Sequence, residues 1–178
     1  MRLSVHFIAP FFLLCATASV PAAIAATERI TEAQIHQILE AIDAAAMERN
    51  AEGIVQYFAR DCIIRLEMPG PHGRQVLQVN REEYATSLKE SFSTLIKYEY
   101  LRMETKIHIG PDGKSARVTG KIYETMTVED RIIKAVTQHT AIFEHRSGEL
   151  SITSLDTTFL SMEEERITTL RPQALRPG

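Results

Sequence analysis

Three titratable side chains stand where they could do chemistry together: Glu124, His139 and Asp156. Each falls in a segment whose apolar residues recur with period two, the mark of a β-strand with one buried face. In 115–128, one face carries Ala116, Val118, Gly120, Ile122, Met126 and Val128, and Glu124 is its only charge. The other face carries Arg117, Thr119, Lys121, Tyr123, Thr125 and Thr127. In 131–144, Ile133, Ala135, Thr137, His139, Ala141 and Phe143 share a face without fixed charge. In 150–161, Leu150, Ile152, Ser154, Asp156 and Leu160 share one face. A hairpin register that sets His139 beside Asp156 makes an imidazole oriented by a carboxylate, a sound general base. A carboxylate such as Glu124 among apolar groups has a raised pKa and can act as an acid. Two alternatives stand beside this reading. A one-residue bulge exchanges the faces of a strand. A His and an Asp in a sheet also serve as a structural hydrogen-bonded pair, or sit solvated at a rim.

Other site chemistries find no support. There is no nucleophile elbow, glycine-rich phosphate loop or Cys-x-x-Cys. His36, His72, His108 and His145 are scattered, and His36 with Glu40 reads as an exposed pair on one helix face. Neither a metal nor another cofactor is expected. Lys and Arg number 20 against 23 Asp and Glu, a net charge of −3, with no basic stripe. Nucleic acid is therefore not an expected partner.

The elements that must position these groups follow from pattern. Thr31 and Gln34 form a capping box, and Ile35, Ile38, Leu39, Ile42 and Ala46 then recur at helical spacing to about Arg49. Asn50 caps a short second helix carrying Ile54, Val55 and Phe58. From Cys62 the period becomes two, with Cys62, Ile64, Leu66 and Met68 on one face. Breakers at 69–73 lead to a short strand at 75–79. Asn80 and Glu83 form another capping box, and the helix behind it sets Tyr84, Leu88, Phe92 and Leu95 on one face. Four long strands follow, 97–109, 115–128, 131–144 and 150–161. Three helices must cover one face of this curved antiparallel sheet to give both a core. The fold class is α+β.

Residues 1–25 read as a cleaved secretory signal peptide. Arg2 precedes an apolar run from Phe7 to Val20, and Ala23 and Ala25 fit an A-x-A cleavage site. The run is too short to span a bilayer, Pro10 interrupts it, and no stop-transfer cluster follows, so no stable membrane anchor is expected. The expected location is periplasmic or secreted. One domain over 26–162 and a flexible C-terminal tail over 163–178 complete the chain. Cys15 leaves with the signal, so Cys62 has no partner for a disulfide and is expected to be buried.

The mature chain resembles the NTF2-like superfamily, which includes SnoaL-like cyclases and ketosteroid isomerases. Phe58 to Asp61 resembles its F-x-x-D entry to the first strand, and Asn80 to Tyr84 the start of its third helix. Gly113 to Val118 resembles its D-G-x-x-A-x-V strand. Gly148 to Ile152 resembles its G-x-W-x-I segment, with Leu150 in place of Trp. The resemblance covers 30–161. It implies a cone whose concave sheet face and helices enclose a pocket. Glu124, His139 and Asp156 would project into it, with Tyr57, Tyr84, Thr137 and Met103 lining it. It also implies a homodimer through the outer sheet face, here Thr119, Tyr123, Thr125, Val136, Gln138, Thr140 and Ile142. In the isomerases the base is an Asp on the first strand. The matching inward positions here are Ile64 and Leu66, with Glu67 on the opposite face, so that base is not carried over. The leading expectation is therefore an exported protein that binds a small apolar ligand without chemistry, or a dimeric assembly module. The alternative is a SnoaL-like isomerase, dehydratase or cyclase using His139 and Asp156.

Overall fold

The computed structural model describes residues 29–167, so residues 1–28, with the expected signal segment, and residues 168–178 lie outside it. Helix α1 (Glu32–Met47) begins at Thr31, whose hydroxyl accepts from the Gln34 amide while the Gln34 side chain accepts from the Thr31 N–H. This reciprocal capping satisfies two amides that helix geometry leaves free. Helix α2 (Ala51–Val55) starts at Asn50, which accepts from the Gly53 amide. A β-carbon on Gly53 would lie 2.7 Å from the Asn50 side-chain nitrogen and 2.9 Å from the Ala45 β-carbon, so only glycine fits under this cap. Strands β1 (Phe58–Gly70) and β2 (Gly73–Val79) form a hairpin, and α3 (Arg81–Ser93) opens on the expected Asn80–Glu83 capping box. Strands β3 (Lys97–Ile109), β4 (Ser115–Val128), β5 (Arg131–Arg146) and β6 (Glu149–Arg166) complete the chain.

The six strands form one curved sheet in the order β2-β1-β6-β5-β4-β3. All neighbours are antiparallel except β1 and β6, which run parallel. Register sorts the concave face into rungs. At the closed end Ile109, Ala116, Phe143 and Ile152 lie side by side, followed by Ile107, Val118, Ala141, Leu155 and Ile64. Both rungs are apolar. Phe143 and Ile64 are fully buried there, under Ile35, Ile38, Leu39 and Ile42 of α1 and Val55 of α2. The next rungs toward the open end are different. Gly120, His139 and Thr157 share one, Arg102, Ile122, Thr137 and Phe159 the next, and Tyr100, Glu124, Ala135 and Met162 the third. The concave face is thus apolar at one end and carries polar side chains at the other. α3 leaves none of its residues fully buried.

Bulges set which side chains face in. An extra residue at Thr153 lets Ile142 pair with Ser154 while Phe143 pairs with Ile152, and a second at Leu160 does the same beside Val136 and Thr137. Between them the inward residues are Leu155, Thr157 and Phe159. Ser154 and Asp156, expected on the concave face, point the other way, and Leu160 is exposed. The strand also outruns the expected domain end at residue 162. Glu163, Glu164 and Glu165 pair with Lys134, Ile133 and Ile132, because long β5 extends the ladder beneath them. A third bulge interrupts β3 between Met103 and Lys106, with Glu104 at φ 55°. Gly120 accommodates it, since a β-carbon there would lie 3.3 Å from the Met103 carbonyl oxygen.

Candidate functional site

Five elements converge on the open end of the cone. From β4, Glu124 points inward as its alternation predicts, and it accepts a hydrogen bond from the Tyr98 hydroxyl of β3 at 2.5 Å. Among the described residues it has no cationic partner. Burial pushes its pKa above the ordinary carboxylate value, and the Tyr98 hydrogen bond only partly opposes this. The Tyr98 phenol moves up as well, through burial and then through the neighbouring Glu124 charge. Phe92 of α3 packs at a tilt on the Tyr98 ring, with centroids 5.5 Å apart.

Beside this pair lies a second polar group. Arg102 of β3 grips Asp43 of α1 with both carboxylate oxygens engaged: Nε to Oδ1 at 2.8 Å, Nε to Oδ2 at 3.1 Å and Nη2 to Oδ1 at 2.7 Å. The Tyr100 hydroxyl donates to Asp43 Oδ1 at 2.9 Å and accepts from Arg102 Nη2 at 2.8 Å. This bidentate geometry is the strong form of the interaction. Arg102 Nη1 makes no hydrogen bond among the described residues.

His139 sits one rung beyond Arg102. Its Nε2 is 2.9 Å from the Thr137 hydroxyl. Burial, assisted by the Arg102 charge, pulls its pKa down from 6.5 to about 3. The ring is therefore neutral across working pH. This has a consequence for stability. The unfolded chain binds a proton at His139 near pH 6.5, whereas the folded chain does so only near 3. The contribution of this residue is complete above 6.5 and is lost as pH falls toward 3. Urea midpoints measured from pH 7 to 4 are expected to fall less steeply for His139→Phe than for the wild type. Parallel curves would show that the ring titrates freely.

The structure sorts the expected site residues. Glu124, His139, Thr137 and Tyr84 face inward together. Tyr84 stacks on Phe58 with ring centroids 6.0 Å apart, and burial followed by the Glu124 charge raises its phenol pKa. Asp156 does not join them. It lies on the convex face, opposite Arg65 of β1, with their side chains 3.7 Å apart and half exposed. The Thr153 bulge is the reason, and it removes the His139–Asp156 dyad. Met103 is also outside, 47 % exposed on the convex side with Leu101. On β3 the apolar alternates face solvent, and the inward set is Tyr98, Tyr100 and Arg102. Tyr57 lines an open cleft of about 450 Å³ with Gln34, Gln37, Gln56 and Leu150, between α1, α2 and the β5–β6 hairpin. It does not join Glu124. Thr119, Tyr123, Thr125, Val136, Gln138, Thr140 and Ile142 alternate with the inward residues and form the outer face.

Sequence reading missed Asp43, Tyr98, Tyr100, Arg102 and Thr157. A signal existed for Asp43, a carboxylate at the edge of the apolar stripe of α1 beside Ile42. Cys62 is buried, and desolvation raises its thiol to about 11, so it remains protonated. Among the described residues no three His, Cys, Asp or Glu side chains cluster closely enough to hold a metal ion. Among the same residues no helix is long and apolar enough to cross a membrane.

No family model and no curated protein matches this chain by sequence. Solved structures do match. The hexachlorocyclohexane dehydrochlorinase LinA-type3 from Novosphingobium barchaimii aligns with a TM-score of 0.61 at 11% identity, over 79% of this chain and 94% of that one. A candidate scytalone dehydratase from Novosphingobium aromaticivorans aligns at 0.59 and 11% identity, over 80% and 93%. An NTF2-like protein of unknown function from Pseudomonas putida aligns at 0.57 and 15% identity, over 71% and 84%. At such identities the likeness establishes the fold, an α+β NTF2-like cone, which hosts unrelated functions.

Proposed function

We propose that this NTF2-like chain takes a small, largely apolar molecule into the open end of its cone and moves a proton on it without a cofactor, with Glu124 as the base. One observation carries the reading: a carboxylate on the concave face with a raised pKa, a tyrosine donor and, among the described residues, no cation to neutralise it. Such a group is costly to the fold and suited to proton transfer. The sequence pointed toward binding without chemistry, because the first strand offers only Ile64 and Leu66 at its inward positions. The fold supplies a carboxylate from β4 instead. Tyr98 orients it through their hydrogen bond. In this reading Arg102, through Nη1, stabilises negative charge developing on the ligand, while Asp43 and Tyr100 hold the guanidinium still. The reaction class is isomerisation, elimination or addition of water. An address outside the cytoplasm, as residues 1–25 indicate, fits a reaction that needs neither nucleotide nor nicotinamide.

The first test needs no natural substrate. Ring opening of 5-nitrobenzisoxazole requires only a base aimed at an acidic C–H bond in an apolar site. The protein is expected to promote it with saturation, and 2-naphthol, a mimic of an enolate, is expected to compete. A rate no greater than that of acetate at equal concentration, together with saturable naphthol binding, would return the protein to a purely binding role.

A further inference from the structure

We infer that the cleft bordered by α2, β1 and α3 is a second binding site, which takes a small multivalent oxyanion, either a polycarboxylate or a phosphate ester. It includes neither Glu124 nor any group given a part in proton transfer above. The cleft measures about 570 Å³, within the usual range of small-molecule sites. Val55 of α2 and Ala85 of α3 supply its apolar lining. Three cations border it: Arg60 of β1 and Arg81 and Lys89 of α3. Positions 81, 85 and 89 recur every four residues, so Arg81 and Lys89 flank Ala85 on one stripe of the helix. Their backbones stand about 12 Å apart along the axis, at about 1.5 Å per residue. The small Ala85 between them leaves room for a guest that both long side chains can reach.

Among the described residues none of these three cations has an ion-pair partner, and none of their side chains makes a hydrogen bond. Arg81 stands out most. Arg81, Arg102 and Arg131 are the described arginines that are not exposed. Asp43 holds Arg102 and Glu164 holds Arg131, whereas Arg81 meets no described carboxylate. A half-buried guanidinium gives up water at several of its five donors and normally gains a carboxylate or phosphate in exchange. Arg81 is also the first residue of α3, where the helix dipole opposes a cation. Both features are costly to the empty fold, and both favour an incoming anion. Glu52 of α2 and Glu82 of α3 border the same cleft, yet neither pairs with any of the three cations. Three positive and two negative groups leave one positive charge in excess. That balance suits a compact guest with a few charges. The successive phosphates of a nucleic acid would meet Glu52 and Glu82 instead.

The test is calorimetric titration of the whole folded chain with citrate and with glycerol 2-phosphate at constant ionic strength, with acetate as the singly charged comparison. Saturable binding of citrate or glycerol 2-phosphate is expected, and the tighter of the two identifies the group recognised. Added sodium chloride should weaken it, because charges near the surface are screened. Arg60→Gln and Arg81→Gln are each expected to weaken it about tenfold or more, the effect of losing hydrogen bonds to a charged group. Arg117→Gln removes an exposed arginine from the other face of β4 and should change nothing. Glu82→Gln removes a repelling charge and should tighten binding several-fold. Without anion, Arg81→Gln should melt no lower than the wild type, since a cation has left the start of a helix. Titrations that do not saturate, acetate bound as well as citrate, or affinity undiminished in Arg60→Gln and Arg81→Gln would overturn the inference and leave the three cations as solvated surface. Ring opening of 5-nitrobenzisoxazole should be the same in both arginine variants, so the Glu124 reading stands or falls separately.

Discussion

Replacing Glu124 by Gln is expected to slow ring opening of 5-nitrobenzisoxazole by roughly 10²- to 10⁴-fold, the usual contribution of a positioned general base. Glutamine keeps the shape and can still accept from the Tyr98 hydroxyl, so the loss would report the missing base and not a rearranged recess. The wild-type rate should rise with pH through a value above the ordinary carboxylate range, because only the ionised form takes a proton and burial raises the pH at which it forms. In Glu124→Gln that rise should vanish. Stability should move the other way. Below 4.5 the side chain is protonated in both folded and unfolded chains and contributes nothing. Above 4.5 the unfolded chain ionises first, and the folded state loses ground until the raised folded pKa is passed. At neutral pH Glu124→Gln is therefore expected to be as stable as the wild type or more so, the trade common at working sites. A variant that loses activity and stability together would mark Glu124 as structural. A variant that keeps full activity would remove it as the base.

The second large effect concerns Arg102. Arg102→Met is expected to destabilise the fold by about 2–3 kcal/mol, read from urea midpoints. Removing one partner of a fully buried pair costs about 3–5 kcal/mol because the other charge is stranded. Here the Arg102 side chain is 13% accessible and the Asp43 side chain 26%, so water partly relieves the carboxylate and the lower figure applies. The Tyr100 hydroxyl would remain as the partner of Asp43. The double variant Asp43→Leu with Arg102→Met removes both charges and should recover most of the loss, since a buried ion pair and an apolar pair of similar volume are often equivalent. Recovery of stability without recovery of ring opening would separate the two roles of this pair. A single variant as stable as the wild type would show that Asp43 and Arg102 are already solvated.

Much of the scaffold was legible because its signals are local. The Thr31–Gln34 and Asn80–Glu83 capping boxes form as their spacing requires. The inward faces of β4 and β5 are those their alternation indicates, since nothing interrupts the ladder between these two strands. Glu124, His139 and Thr137 were found for that reason. Asp156 was misplaced because one extra residue at Thr153 reverses a period-two pattern, and Ser-Leu-Asp-Thr-Thr reads equally well in either phase. β3 misled differently. Leu101 and Met103 look like its core face, yet they are exposed, and the polar alternates Tyr100 and Arg102 turn inward to meet Asp43.

What the sequence by itself determined is the set of elements, their order and the faces of the two uninterrupted strands, because caps, periods and turn residues act over a few neighbours. It also placed a carboxylate and an imidazole on the inner face of the sheet. Only the tertiary structure decided which groups meet them. Asp43 lies 59 positions from Arg102, and Tyr98 lies 26 from Glu124. Their contacts depend on how α1 crosses β3 and on three bulges that shift register by single residues, and neither is carried by local spacing.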